Sequence, residues 1–162
     1  MNSTRLFAVV GLASLGAVGA ALVSQHVFGM QPCPWCVLQR VIFLAIAIAC
    51  IAGLVWRSAA GRTVAASFAI VLAVSGVAAA LWQHFQAAAS ASCNLTIADK
   101  IVSGWLGLDS LWSDVFSPRA SCADAAVNLL GVPYEFWSLA LFVLLALALV
   151  RALRPANQRR LT

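Results

Sequence analysis

The sequence predicts an all-α membrane protein, built as an antiparallel four-helix transmembrane bundle. Two observations lead to this fold class: the 162-residue chain is 63% hydrophobic and only 9% charged, and it contains four long, nearly uncharged stretches. Soluble globular domains average about 45–50% apolar and about 25% charged residues. A chain of 17.0 kDa with a mean hydropathy of +0.96 has too little interior to hide its apolar side chains from water. The composition excludes disorder and argues against a water-soluble monomer.

The four predicted spans cover about residues 6–24, 37–56, 63–83 and 134–150, within a single transmembrane domain of residues 1–162. A helix needs about 20 residues to cross the hydrocarbon core of a bilayer, with a range of about 17–25. The first span also has the small residues of a signal peptide, but its apolar run exceeds the usual length of about 7–15 residues. Small residues four apart are expected to mark helix contacts, at Gly76–Ala80, Gly16–Ala20 and Ala13–Ala17.

Arginine placement predicts the orientation of the bundle. Most arginines fall in three stretches on one side of a four-span chain, namely the N-terminus, loop 57–62 and tail 151–162. The positive-inside rule makes that side, and both termini, cytoplasmic. Loops 25–36 and 84–133 then face outward. Tryptophans fit this orientation, with Trp56 at the inner boundary and Trp35, Trp82 and Trp137 at the outer one. Topology therefore explains the net charge of +5 better than nucleic-acid binding does.

The second outer loop is long enough to require structure or function of its own. Two apolar series with helical spacing run through it, Ile97–Ile101–Trp105–Leu108 and Leu108–Leu111–Trp112–Val115–Phe116. They predict a short amphipathic helix, which either packs on the bundle or lies in the membrane interface. The two interpretations are compatible.

The five cysteines carry the candidate chemistry. Cys33 and Cys36 fall in the first outer loop, Cys93 and Cys122 in the second, and Cys50 in mid-span as a small packing residue. The first pair forms a C-x-x-C motif. A structural disulfide across so short a loop removes little entropy from the unfolded chain. Zinc normally needs a second close pair or histidine ligands, so no metal site is predicted. A redox-active dithiol fits best, because C-x-x-C thiols often have lowered pKa values and exchange readily.

Arg40 is a base inside a predicted span. On a helix it follows Cys36 by four residues and lies on the same face, one turn deeper. A cation at membrane depth is costly unless it snorkels to the surface or has a function. Snorkelling is the simpler interpretation. The functional one is a cation that stabilises a thiolate or binds a polar oxygen of a lipid-soluble acceptor. The second cysteine pair then completes an electron relay from a soluble partner into the membrane.

Several motifs together resemble the bacterial DsbB disulfide-formation proteins. They are Pro-Cys-Pro-Trp-Cys at residues 32–36 with Arg40 after it, the Cys93/Cys122 pair, and Gly131-x-Pro133-x3-Trp137 at the start of span 4. With the four spans, the resemblance covers nearly the whole chain. The two cysteine pairs in this topology are specific to the family, whereas C-x-x-C alone is not.

The resemblance implies a thiol:quinone oxidoreductase of the bacterial inner membrane, with its redox cysteines on the periplasmic side. It implies that a DsbA-like periplasmic thiol oxidase is the partner and that this partner attacks Cys93. Cys122 is then expected to exchange with Cys33, through a transient bond between the two loops. The electrons pass to a membrane quinone, either ubiquinone or menaquinone.

The resemblance also implies which residues bind the quinone. Cys36 is expected to be the thiolate that faces it, with Arg40 alongside. His84, just beyond span 3, is expected near the quinone headgroup, or else as a solvated boundary residue. The spacing from His84 to Cys93 is shorter than the family pattern.

Three other interpretations stay open. An enzyme similar to vitamin-K-epoxide reductase shares the thiol-to-quinone chemistry, but that family usually places its loop cysteines before the C-x-x-C motif. A non-enzymatic membrane scaffold with two structural disulfides is the second. A metal-binding sensor that uses the four outer cysteines is the third.

Overall fold

The computed structural model describes residues 3–56, 58–87, 97–121, 127–129 and 131–153. Its helices are α1 (Ser3–Phe28), α2 (Pro34–Val55), α3 (Ala59–Trp82), α4 (Ile97–Asp99), α5 (Leu108–Leu111), α6 (Ser113–Phe116) and α7 (Tyr134–Leu153). The long helices α1, α2, α3 and α7 are apolar and long enough to cross a membrane. The all-α, four-helix class predicted from composition is confirmed, and the protein is a multi-pass membrane protein.

The four long helices form a closed ring. Helix α2 packs against α1 and α3, α3 packs against α7, and α7 returns to α1 along the least closely packed of the four seams. At the centre, the Phe43 and Phe142 rings stack with centroids 4.0 Å apart and planes 5° from parallel. Ile46 and Leu149, both fully buried, extend this core along α2 and α7. The ring therefore has three tight seams and one loose seam, between α1 and α7.

The outer segments are short. A π-helical turn, Gln83–Ala87, continues α3, and a second one, Lys100–Trp105, continues α4. Strands β1 (Asn128–Leu129) and β2 (Val132–Pro133) pair antiparallel just before α7. Gly131, at φ +80°, lies in the turn between them, where a left-handed backbone conformation favours glycine.

The amphipathic segment of the second outer loop differs from one continuous helix. Gly107, at φ +57°, separates the π-helical turn after α4 from α5, and the non-helical Trp112, at φ −151° and ψ 80°, separates α5 from α6. Val102 and Phe116 are buried on the bundle, whereas Trp105 and Leu111 are 86% and 82% exposed. The segment thus packs on the bundle with one face and presents large apolar side chains outward with the other, as an interfacial segment does.

Small residues mark only one of the expected helix contacts clearly. Gly76 and Ala80 are buried on α3, and the Phe142 ring packs flush against Gly76. Gly16 and Ala20 are exposed, and a Cβ added at Gly16 would meet nothing within 4 Å. The prediction of a helix contact at Gly16–Ala20 is wrong, because that face of α1 turns away from its neighbours.

Replacing Gly76 by Ala is expected to destabilise the bundle. The added Cβ would lie 2.5 Å from the Phe142 ring, which is held by its stack on Phe43. Overpacking of this kind costs about 1–3 kcal/mol. Gly16→Ala is the matched control, with an expected gain of up to about 1 kcal/mol from helix propensity. The measurement is thermal unfolding of both variants in the same detergent, and equal Tm values would contradict the packing described.

Candidate redox site

The C-x-x-C pair lies at the N-terminus of α2. Cys33 is the N-cap residue, and its sulfur accepts a hydrogen bond from the Cys36 backbone N–H at 3.3 Å. Pro34 occupies the first helical position, where its missing N–H is no loss. Both cysteines are free thiols, with their sulfurs 2.8 Å apart. The two thiols are therefore held as one unit at a helix N-terminus, whose partial positive charge favours a thiolate.

The two sulfurs have different surroundings. Cys33 is fully buried, whereas Cys36 is only partly buried and lines a cavity. The hydrogen bond with the Cys36 sulfur, followed by burial, raises the pKa of the Cys33 thiol well above its ordinary value. Cys33 is thus the protonated member of the pair, and Cys36 is the member that a ligand in the cavity can reach.

The cavity has a volume of about 1040 Å³ and lies between α1, α2 and α7. Its polar wall, on the outermost turns, is formed by Cys36, Gln39, Arg40, Gln83 and Glu135. Its apolar wall, on deeper turns, includes Ala17, Ala21, Phe43, Leu141 and Leu144. The small residues of α1 leave the space open along the loose seam with α7. The cavity therefore suits a molecule with a polar head and an apolar tail.

Arg40 is 5% exposed and forms hydrogen bonds in three directions. Its Nη1 donates to Gln25 Oε1 at 2.7 Å and to the Val115 carbonyl oxygen at 3.1 Å, and its Nη2 donates to the Ala21 carbonyl oxygen at 3.3 Å. The snorkelling interpretation is wrong, because these acceptors hold the guanidinium inside the protein rather than at its surface. Arg40 thereby joins α1, α2 and the outer loop beside the cavity.

Two buried amides connect α2 and α3 at the Cys36 sulfur. Gln39 Nε2 donates to Gln83 Oε1 at 2.8 Å, and Gln83 Nε2 donates to Cys36 Sγ at 3.4 Å. Since the Gln83 oxygen is occupied by Gln39, its NH₂ group is the end that faces the sulfur. A donor fixed in this way stabilises negative charge on Cys36.

His84, the next residue along the π-helical turn, contacts a different group. Its Nδ1 lies 2.8 Å from Glu135 Oε1, and its ring packs against Phe136. Glu135 lines the cavity and is 5% exposed, whereas the His84 side chain is 32% exposed. His84 thus reaches the cavity through Glu135, which sequence reasoning did not single out.

The outer loop is attached directly beside the C-x-x-C motif. The backbone N–H groups of Arg119 and Ala120 donate to the Pro32 carbonyl oxygen at 2.9 and 3.3 Å. Gln25 Nε2 also donates to the Asp114 carbonyl oxygen at 3.0 Å. The two other predicted site cysteines, Cys93 and Cys122, lie outside the described residues.

The structure brings Cys33, Cys36 and Arg40 together at one end of α2 and places beside them polar residues that the motif analysis missed. These are Gln25, Gln39, Gln83 and Glu135. The sequence could have indicated these residues individually, because amides and an acid near the ends of apolar spans are costly to place in a membrane. It could not have indicated their contacts with one another, because those contacts join residues far apart in the chain.

A buried dithiol at the polar end of a membrane cavity defines a class of protein, the membrane-embedded thiol oxidoreductases. Comparison with known proteins identifies the family. The model of the family described as "Disulfide bond formation protein DsbB" matches residues 3–152. The chain belongs to the DsbB family of disulfide bond formation proteins and is a disulfide oxidoreductase.

Individual relatives agree with the family match. The chain is 35% identical over 159 residues to disulfide bond formation protein B 1 of Pseudomonas savastanoi pv. phaseolicola, with 96% of this chain and 92% of the relative covered. It is 32% identical over 159 residues to disulfide bond formation protein B of Ralstonia nicotianae, with 98% of each chain covered. The similarity therefore extends over all four long helices.

Alkylation of the reduced protein is expected to proceed at different rates at Cys33, Cys36 and Cys50. N-ethylmaleimide should modify Cys36 faster than Cys33 or Cys50, because the last two are fully buried. Gln83→Leu should slow the Cys36 reaction by about 2- to 10-fold, the usual value of one net hydrogen bond. Gln39→Leu should have a smaller effect, because it only frees the amide. Mass spectrometry of quenched samples measures each rate, with denatured protein as the control. Equal rates in Gln83→Leu and the unmodified chain would contradict the sulfur contact.

Proposed function

We propose that the protein is a thiol:quinone oxidoreductase that reoxidises a DsbA-like periplasmic thiol oxidase and passes the electrons through two cysteine pairs to a membrane quinone. The observation that carries this proposal is the cavity, in which Cys36 and Arg40 line the polar end and apolar side chains of α1 and α7 line the rest. Membership of the DsbB family supports the redox chemistry. The acceptor and the partner are the part that we infer.

The residues present fit a quinone. A quinone headgroup is planar and accepts hydrogen bonds at two carbonyl oxygens, and its isoprenoid tail is apolar. Arg40 uses three of its five N–H donors in the hydrogen bonds described, which leaves donor capacity beside the cavity. Phe43, Leu141 and Leu144 offer a deeper apolar wall for a tail. Bound there, a quinone supplies the two-electron acceptor that a dithiol needs.

The first steps are thiol–disulfide exchanges in the outer loops. A thiolate of the reduced partner attacks Cys93 of a Cys93–Cys122 disulfide, which gives a mixed disulfide and releases Cys122. The released Cys122 thiolate attacks Cys33 of a Cys33–Cys36 disulfide and releases Cys36 as the thiolate. The second thiol of the partner then resolves the mixed disulfide and releases Cys93, and the partner leaves oxidised. The released Cys93 attacks Cys122 of the Cys33–Cys122 bond, which restores the Cys93–Cys122 disulfide and frees Cys33. The two electrons of the partner are then held by the reduced Cys33 and Cys36.

The described geometry supports the exchange between loops. Ala120 is hydrogen-bonded to Pro32, the residue before Cys33. Cys122 follows Ala120 by two residues, and two residues span at most about 7 Å. The segment that leads to Cys122 is therefore attached beside the C-x-x-C motif, which supports an exchange between Cys122 and Cys33. Cys36, released on the cavity side, is stabilised by the Gln83 amide and faces the cavity.

The orientation of the protein follows from the same chemistry and from its arginines. The partner and the loop cysteines require an oxidising compartment, where disulfides persist. The positive-inside rule places the arginine-rich N-terminus, loop 57–62 and tail in the cytoplasm. We therefore place the protein in the bacterial inner membrane with its redox cysteines on the periplasmic side.

The test is oxidation of reduced DsbA by the purified protein with ubiquinone or menaquinone. Two quantities are measured together, the loss of quinone absorbance and the loss of free thiols on the partner. Cys36→Ser is expected to abolish quinone reduction, because no thiolate then faces the cavity. Cys93→Ser is expected to prevent the mixed disulfide with the partner, which non-reducing gels detect. A disulfide-stapled scaffold would oxidise no partner in this assay. An adduct trapped through Cys122 instead of Cys93 would overturn the assigned order of exchange.

Arg40→His is expected to raise the KM for quinone by about tenfold or more, since hydrogen bonds to charged groups are worth about 1.5–3 kcal/mol. The KM for the reduced partner should change less, because the partner reacts in the outer loop. Arg62→His, at the other end of α3 from Gln83, is the matched control. An unchanged quinone KM in Arg40→His would contradict a role of Arg40 in binding the headgroup.

A further inference from the structure

Quinone reduction consumes protons as well as electrons, and the structure contains a candidate route for them. The inference rests on the proposed function. The reactants are the Cys33 thiol, the Cys36 thiolate, one quinone and one additional proton. The products are the Cys33–Cys36 disulfide and one quinol. Cys33 supplies the first of the two protons that the quinol carries, and the second must come from water. That proton must reach the polar end of the cavity.

Glu135 connects the cavity to a partly exposed histidine. It is the one residue with a carboxyl side chain among the described residues that line the cavity, and it is 5% exposed. Its Oε1 lies 2.8 Å from Nδ1 of His84, whose side chain is 32% exposed. Two proton-exchanging groups are therefore in hydrogen-bond contact, one at the cavity wall and the other partly exposed at the end of the third long helix.

A purely structural role explains this pair less well. Burying a carboxylate is costly, and an apolar pair of similar volume joins two helices at least as stably. Ionisable residues inside membranes are uncommon and often belong to proton relays. The first turn of α7 lowers the cost of a negative charge at Glu135 but does not require it to line the cavity.

The π-helical turn after α3 explains how one segment serves two purposes. Within Gln83–Ala87, the adjacent residues Gln83 and His84 contact Cys36 and Glu135 respectively. Single π-helical turns often occur at functional sites. The turn thus presents one side chain to the electron donor and the next to the carboxyl group.

We propose that His84 and Glu135 form a proton route from the outer water to the quinone. Glu135 donates its carboxyl proton to a quinone oxygen, and His84 then returns a proton from Nδ1 to the carboxylate while Nε2 takes one from water. Among the described residues, the other titratable or charged groups that line the cavity are Cys36 and Arg40 on α2, Tyr134 on α7 and Arg119 of the outer loop.

The test compares Glu135→Gln with the unmodified protein, purified with quinone and mixed with reduced partner. The glutamine keeps the size and a hydrogen bond to His84 but holds no transferable proton. Quinone reduction is expected to slow by about tenfold or more. General acid–base catalysis usually contributes about 10²–10⁴-fold, and other proton sources should replace part of that contribution. The loss should grow from pH 6 to pH 8, because protons then become scarcer in water. Asp109→Asn, an acid-to-amide change on α5 outside the cavity lining, is the matched control.

Four further measurements separate proton transfer from structure. Quinone binding, followed by quenching of tryptophan fluorescence, and mixed-disulfide formation at Cys93 should both be unchanged in Glu135→Gln. In His84→Ala, added imidazole should restore the rate in proportion to its concentration, which a loss of packing would not allow. Infrared difference spectra of the reduced and oxidised protein should contain a carboxyl band that Glu135→Gln lacks.

The outcomes that overturn the route are distinct from those that overturn the proposed function. An unmodified protein that reduces no quinone contradicts the proposed function. A normal rate and pH profile in Glu135→Gln contradict only the proton route. A loss in Tyr134→Phe without a loss in Glu135→Gln would also overturn the route, because it assigns the proton to the neighbouring phenol.

Discussion

The buried charge of Arg40 is the constraint on which the rest of the site depends. A guanidinium that is 5% exposed among membrane helices must replace its lost water with fixed acceptors. It finds them in the Gln25 side chain and the carbonyl oxygens of Ala21 and Val115. Helix α1, helix α2 and the outer loop must therefore keep their relative positions, or the charge loses its partners. The polar end of the cavity is rigid for this reason.

The same rigidity places the outer loop over the redox cysteines. Val115 and Phe116 pack on Val37, and the Pro32 carbonyl oxygen accepts two backbone hydrogen bonds from the segment that leads to Cys122. Loop structure is thus tied to helix α2 on both sides of the C-x-x-C motif.

Thiol and carboxyl groups lie on different helices around one cavity. Helix α2 carries the thiols, helix α7 carries the carboxyl group, and the π-helical turn after α3 contacts both through Gln83 and His84. Helix α1 contributes small side chains that leave space rather than fill it. Because α1 and α7 pack loosely while α3 packs tightly on both neighbours, the space opens along one seam of the bundle.

The sequence alone determined the class of protein, its four spans and the redox motif, because these depend on local properties: apolar length, spacing along one helix, and cysteine pairs. It also placed Arg40 one turn below Cys36, since both lie on α2. Only the tertiary structure decided that Arg40 is bound rather than snorkelling, and that Glu135 lies between His84 and the cavity. Those contacts join residues 15 to 75 positions apart in the chain. Helical periodicity fixes which face of its own helix a side chain occupies, but the neighbour on that face is set by how the four helices pack.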